Sequence, residues 1–384
     1  PLFGLPHHIG VILVGAIVTV IVATAGMAST TYVQFLKGGL LIIFSMTIVI
    51  AVLSRGLSTS PDHGGERPYH QFVTLPYTLQ TDGRLTLADT TYTVPVDWQQ
   101  SPYYQPEGKA HFVQLTQGNT PSVWRINEEK GVLEETLTIT HLPNGDKLYN
   151  GAPRGEEKFF PVGHMEEIIK NGERVEKTGN LDPTSYLSAI LDGKVVIWPS
   201  EKLLIGDTKM TVYYQKVVAG KDLLRPGMKF KIGKSMWENL DFVSLMLALF
   251  CGTAALPHIL IRYYTVPSPA CARKSTIVAI AAIAFFYILT LFMGLGAMTS
   301  GVIDLSDTNM AAPLLAKSFG IFLFAIISAI AFATVLGTVS GLIVAASGAV
   351  AHDLMDRFLH IKMSDTGKVT AGKISAVVIG IIAM

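Results

Sequence analysis

Residues Asp241 to Val266 read DFVSLMLALFCGTAALPHILIRYYTV, an apolar stretch that collects Gly252, Thr253 and Pro257 within a few positions. Glycine gives up about 1 kcal/mol of helix propensity relative to alanine, and proline removes a backbone donor and clashes with the preceding turn. A helix written this way is interrupted. In lipid the backbone groups freed by a break must find partners inside protein or in a wet cavity, and transporters use discontinuous helices to present such groups to substrate. A kinked packing helix is the plainer alternative.

A second pattern lies in residues 320–354, GIFLFAIISAIAFATVLGTVSGLIVAASGAVAHDL. Ser328, Thr334, Gly337, Thr338, Ser340, Gly341, Ser347 and Gly348 recur there at three- and four-residue intervals, which reads as one helical face. Small residues on a face permit close packing of a neighbouring helix. Hydroxyl and carbonyl oxygens without a carboxylate are also what a weakly held monovalent cation needs, and the hydroxyls cluster around Thr338. Sodium coordination and helix packing both stand at this point. Lys37 lies about one turn inside an apolar run, where its stem lets the amine snorkel to the nearer membrane face; a functional lysine is the sharper alternative.

Other groups carry less. His63, Glu66 and His70, and again His164, Glu166 and Glu167, lack the spacing of an established metal site. The two cysteines, Cys251 and Cys271, fall on or beside the interrupted helix.

The elements that position these residues follow from composition. Of 384 residues 49% are hydrophobic and 15% charged, against roughly 25% charged in soluble domains, so the chain reads as an α-helical integral membrane protein. A formal net charge of +1 gives no reason to expect a nucleic-acid partner. The chain opens at Pro1 and stops at Met384 inside an apolar run, and reads as a piece of a longer protein. Residues 1–54 hold two expected spans, Ile9 to Ala25 and Tyr32 to Leu53, separated by a turn at Met27 to Thr31. Residues 240–384 hold the interrupted helix, Thr276 to Met298, a long stretch from Phe319 to Val350, and a last span starting near Ser375.

Residues 55–239 carry most of the charge and no span-length apolar run, and form an inserted β-rich domain. LTLADTTYTVPVDW, HFVQLTQ, GVLEETLTIT, KVVIWP and KMTVYYQKVV alternate as strands do. Asn144-Gly145 and Asp192-Gly193 suit hairpins, and Gly163 to Asn171 reads as a short helix. Trp98, Trp124, Trp198 and Trp237 are expected to fill its core. Basic residues set the orientation: Arg262, Arg273 and Lys274 in one loop, and Arg357, Lys362, Lys368 and Lys373 in another, should be cytoplasmic. Counting alternate spans then puts residues 55–239 outside.

GMASTTYVQFLK, GTAALPHILIRYYTV followed by ARKS, and ISAIAFAT with SGLIVAASGAVAHDL together resemble the sodium:solute symporter family, closest to its cation/acetate branch. The likeness covers 1–54 and 240–384. It implies an inverted-repeat transporter core, here its helices four through nine, with sodium as coupling ion and a small organic anion as substrate. The family's paired hydroxyl positions fall on Gly337 and Thr338, with Ser340 and Thr334 beside them, as the expected sodium site. Because Gly337 departs from the hydroxyl pattern, a proton stands as the alternative coupling ion. Substrate contacts fall on Leu249, Thr253 and Pro257, with Gly252 at the break. The first two are aromatic in proline-transporting relatives, so their replacement points to a monocarboxylate such as acetate. His258 and Arg262 follow Pro257, and Arg262 reads as an inner-face anchor. The family expects transport rather than enzymatic activity; a solute-sensing receptor built on the same core is the competing function.

Overall fold

The computed structural model describes residues 7–62, 68–80, 85–95, 110–118, 120–154, 159–205, 208–225, 235–260, 263 and 266–383. His63, Glu66, Trp98 and Arg262 lie outside them. The helices in chain order are α1 (His7–Arg55), α2 (Pro183–Asp192), α3 (Gly220–Leu223), α4 (Met236–Ala254), α5 (Pro257–Leu260), α6 (Pro269–Thr299), α7 (Ala311–Lys317), α8 (Ile321–Gly348) and α9 (Asp365–Ala383). The chain divides into two compact units. The helical unit comprises Pro1–Ile48, Gly227–Leu291 and Gly320–Met384, and the β-rich unit Val49–Pro226 and Phe292–Phe319.

Among the described residues four apolar helices are long enough to cross a membrane: Tyr32–Arg55, Pro269–Thr299, Ile321–Phe358 and Asp365–Ala383. The first of these is the C-terminal part of α1, whose N-terminal part is the shorter apolar helix Ile9–Thr24. The turn expected at Met27 to Thr31 is absent; α1 runs unbroken for 49 residues, about 74 Å at the usual rise per residue. The local reason is that AGMASTT contains no proline and one glycine, whose cost of about 1 kcal/mol is too small to end a helix. The last helix starts at Asp365, ten residues before the expected Ser375. The helix α8 continues into a ten-residue π-helix, Ala349–Phe358.

Within the helical unit, Val18 and Val22 of α1 cluster with Ile343 of α8 and Ala376 of α9. A side chain at Gly380 would collide with Thr19, so glycine is what lets α9 approach α1 there. The short helix α5 packs against α8, as does α9.

The β-rich unit contains fourteen described strands in three antiparallel sheets. They are β1 (Thr74–Leu79), β2 (Leu85–Leu87), β3 (Tyr92–Thr93), β4 (His111–Gln117), β5 (Thr120–Asn127), β6 (Val132–Glu135), β7 (Leu137–His141), β8 (Lys147–Tyr149), β9 (His164–Lys170), β10 (Glu173–Val175), β11 (Lys194–Ile197), β12 (Ser200–Ile205), β13 (Thr208–Tyr213) and β14 (Lys216–Ala219). Their orders are β2-β1-β6-β5-β4-β3, β10-β9-β11-β14 and β12-β13-β7-β8. Alternation along β4 and β5 covers both faces of the first sheet. Val113, Leu115 and Trp124 join Leu75, Leu85 and Leu133 on one side, while Phe112 and Val123 meet Leu203 and Val212 of the third sheet on the other.

Two local readings change. The helix expected over Gly163 to Asn171 is strand β9, paired with β10 and β11. Its partner β10 returns through Asn171-Gly172, both at positive φ, a two-residue hairpin turn. The other change is at Asp192-Gly193, which closes α2 instead of turning a hairpin. That helix is started by Asp182, whose carboxylate accepts from the backbone of Thr184 and Ser185, with Pro183 at its first position. Asn144-Gly145 does join β7 to β8, with Gly145 at φ +91°.

The unit also takes in residues beyond the insertion. Tyr186, fully buried, packs its ring 6.0 Å from that of Phe292. Val162 bridges to Ile303, and Gly301 N donates to Gly163 O at 2.6 Å. Gly163 sits at φ +116°, and a Cβ there would lie 2.5 Å from Met298 O, so no other residue fits this approach.

Candidate cation and substrate sites

The interruption read from the sequence is present. After Ala254 the helix α4 stops, Ala255 N donates back to Cys251 O at 3.1 Å, and the backbone restarts at Pro257, where Ile259 N and Leu260 N both donate to Leu256 O. Pro257 has no N–H to lose at that start. Leu249, Gly252 and Thr253 follow the i, i+3, i+4 spacing of one helical face, and all three are exposed. Thr253 Oγ1 donates to Leu249 O, which turns the hydroxyl along the helix. A Cβ at Gly252 would meet open space. Pro257 is exposed too and opens the segment that packs on α8. The side chain of His258 is outside the described residues.

On α8 the hydroxyls of the expected sodium site, Thr334, Thr338 and Ser340, each donate to their own helix. Thr334 Oγ1 reaches Ile330 O at 2.8 Å, Thr338 Oγ1 reaches Thr334 O at 3.0 Å, and Ser340 Oγ reaches Leu336 O at 2.7 Å. With the proton so used, each oxygen keeps lone pairs that a cation can share. The hydroxyls do not line a single face. Thr338 is exposed and Ser340 is 3% exposed, because two residues rotate a helix by about 200°. Thr334, Gly337 and Thr338 share one side; Ser340 and Ser347 share the other, with both serines buried. Ser328 Oγ is buried and has no hydrogen-bond partner among the described residues.

Two side chains of α1 reach the Thr334 side. Gln34 Nε2 donates to Gly337 O at 2.8 Å, and Lys37 Nζ to Ala333 O and Thr334 O, each at 3.3 Å. The amine expected to snorkel is half-buried against α8. It lies so close to Gly337 that a Cβ there would collide with Nζ. Sequence reading missed Gln34. The available signal was its i, i+3 spacing to Lys37 inside an apolar run, which puts an amide and an ammonium on the same side of the helix.

In the β-rich unit a cleft of about 690 Å³ is lined by Tyr69, His70, Arg125 and His164 among others. His70 stacks on Phe160 with ring centroids 3.8 Å apart, and Tyr69 Oη lies 2.7 Å from His164 Nδ1. Burial pushes His164 down to about 4. His164, Glu166 and Glu167 do not converge on a metal-binding arrangement: Glu167 pairs with Arg174 and Lys194 at 2.6 and 2.8 Å.

Residues 201–384 match the sodium:solute symporter family. The chain is 44% identical over 169 residues to a monocarboxylic acid transporter of Corynebacterium glutamicum, covering 42% of this chain and 30% of that protein. It is 49% identical over 146 residues to the uncharacterized symporter YwcA of Bacillus subtilis, covering 36% of this chain and 27% of that protein. The matched stretches thus span less than a third of either relative. No solved structure gives a significant match.

Proposed function

We propose that this chain, which carries a sodium:solute symporter family domain, is part of a secondary active transporter that moves a small monocarboxylate such as acetate together with sodium. The observation that carries the reading is the interrupted helix α4–α5, whose second segment packs on α8, the helix bearing the oxygen-rich turns from Thr334 to Ser340. In this arrangement Leu249, Gly252, Thr253 and Pro257 form the substrate surface at the break. Thr338, Thr334 and the carbonyl at Gly337 offer oxygens to the sodium ion, with Ser340 behind them on the packed side. Nonaromatic Leu249 and small Thr253 leave room for a short carboxylate and no ring to stack on a larger one. The relative named a monocarboxylic acid transporter supports that substrate class.

The spans then belong to a partial inverted-repeat core in a bacterial inner membrane, with residues 1–54 and 240–384 forming the transmembrane part. Residues 55–239 form the extracytoplasmic insertion, on the side opposite the basic loops. The full-length protein in liposomes should accumulate labelled acetate when sodium is imposed outside; uptake indifferent to sodium and to pH would remove the reading. Asn144→Cys, at an exposed hairpin tip, should react with an impermeant maleimide on intact cells. Reaction only after lysis would invert the topology.

A further inference from the structure

The lysine in the second half of α1 needs an explanation that packing does not give. Lys37 lies near the start of Tyr32–Arg55, within reach of an interface for a side chain of its length. Its amine instead faces the neighbouring helix, donating to Ala333 O and Thr334 O. Ionisable groups within the bilayer are expensive, and those that persist mark ion or substrate pathways.

We propose that Lys37 is a tethered cation of the α8 site: its ammonium holds the oxygens that a soluble sodium ion would use, and sodium enters when that ammonium swings away. This deepens the symport reading and rests on it for the identity of the competing ion. Three observations converge. An ammonium has three donors and no acceptor, so it requires what sodium requires, a set of oxygen lone pairs. The oxygens it has found belong to the same turns as Thr334, Gly337 and Thr338. Space for it exists because residue 337 has no side chain; a Cβ there would meet Nζ. The glycine that removes one hydroxyl from the expected sodium site is therefore the residue that admits the lysine. Gln34, one turn before Lys37 on the same side of α1, ties down the Gly337 carbonyl and keeps the two helices in register for this contact.

Competition of this kind has a simple arithmetic. If the ammonium is displaced for only a fraction of the time, the apparent sodium Kd is the intrinsic value divided by that fraction. A side chain in place nine-tenths of the time weakens sodium binding about tenfold. The exchange moves one charge out as another enters and transfers no proton.

The test is the melting temperature of the purified full-length protein titrated with NaCl against choline chloride at matched ionic strength. Lys37→Met should bring the sodium midpoint at least tenfold lower than wild type. Gly337→Ser, which fills the space with a side chain and returns a hydroxyl, should shift it in the same direction. An unchanged or higher midpoint in Lys37→Met, or no sodium response at all, overturns the proposal. Should Lys37→Met fail to fold, Gly337→Ser decides by the same criterion. Uptake of labelled acetate by wild-type liposomes is read separately. Its absence would refute monocarboxylate transport while leaving the sodium midpoints to judge Lys37.

Discussion

In the β-rich unit Phe112, Leu115, Leu133, Leu137 and Tyr186 are wholly enclosed, whereas in the helical unit Phe35, Phe250 and Phe322 are 83%, 75% and 71% exposed. The two units solve different problems. Sheets in water must bury their apolar faces against one another, so alternation along each strand closes a core within the unit. Helices in lipid gain little from hiding apolar side chains, because the tails are as apolar as leucine. They are held instead by close approach and by polar contacts, here Gly380 against Thr19 and the Gln34 bond to α8. Apolar residues therefore report packing in one unit and surroundings in the other.

That contrast is sharpest when one substitution is made in both. Phe112→Ala should cost about 3–5 kcal/mol, the usual range for emptying a buried aromatic site. Phe250→Ala should stay within about 0.5 kcal/mol, as exposed positions do. Denaturant melts of the full chain in detergent, followed by tryptophan fluorescence, measure both, and similar losses would erase the distinction.

A smaller effect separates the units by pH. His164 titrates near 4 when folded and near 6.5 when unfolded, because burial disfavours its charged form. Its contribution is intact above pH 6.5 and is lost as pH falls through 4, since the unfolded chain takes up the proton first. The full loss is about 3 kcal/mol at 1.36 kcal/mol per unit. His164→Gln should flatten the stability profile between those limits, and a profile unchanged by the substitution would show that other groups set it.

The smallest effect belongs to the cation face. Thr338→Ala removes one oxygen and keeps or improves helix propensity, so apparent sodium affinity should fall about tenfold, equivalent to about 1.4 kcal/mol. If Ser340→Ala abolishes the sodium response and Thr338→Ala leaves it intact, the ion lies on the packed side of α8.

How far the chain was legible depended on whether a signal was local. The interruption after Ala254 followed from Gly252, Thr253 and Pro257 because missing donors and weak propensity act within one turn. Asn144-Gly145 was legible for the same reason, since a turn carries its own conformational requirement. HMEEIIK was misread as a helix because its short apolar pattern fits either period. What makes it a strand is a partner about thirty residues away in β11, together with Asn171-Gly172 closing it onto β10. The hydroxyls of α8 were grouped by spacing alone, and a two-residue offset sent Ser340 to the buried side.

Composition and periodicity by themselves determined that the chain spans a membrane, that a β-rich segment interrupts its helices, and where one helix breaks. These depend on hydropathy and backbone propensity, which each short stretch carries within it. Only the tertiary structure decided that α1 runs on through Gly26, that residues 292–319 join the β-rich unit, and that Lys37 turns to the carbonyls of α8. The reason is the same for the last two: which distant surface is near enough to bury a ring or satisfy a charge is a property of the fold, and no local pattern encodes it.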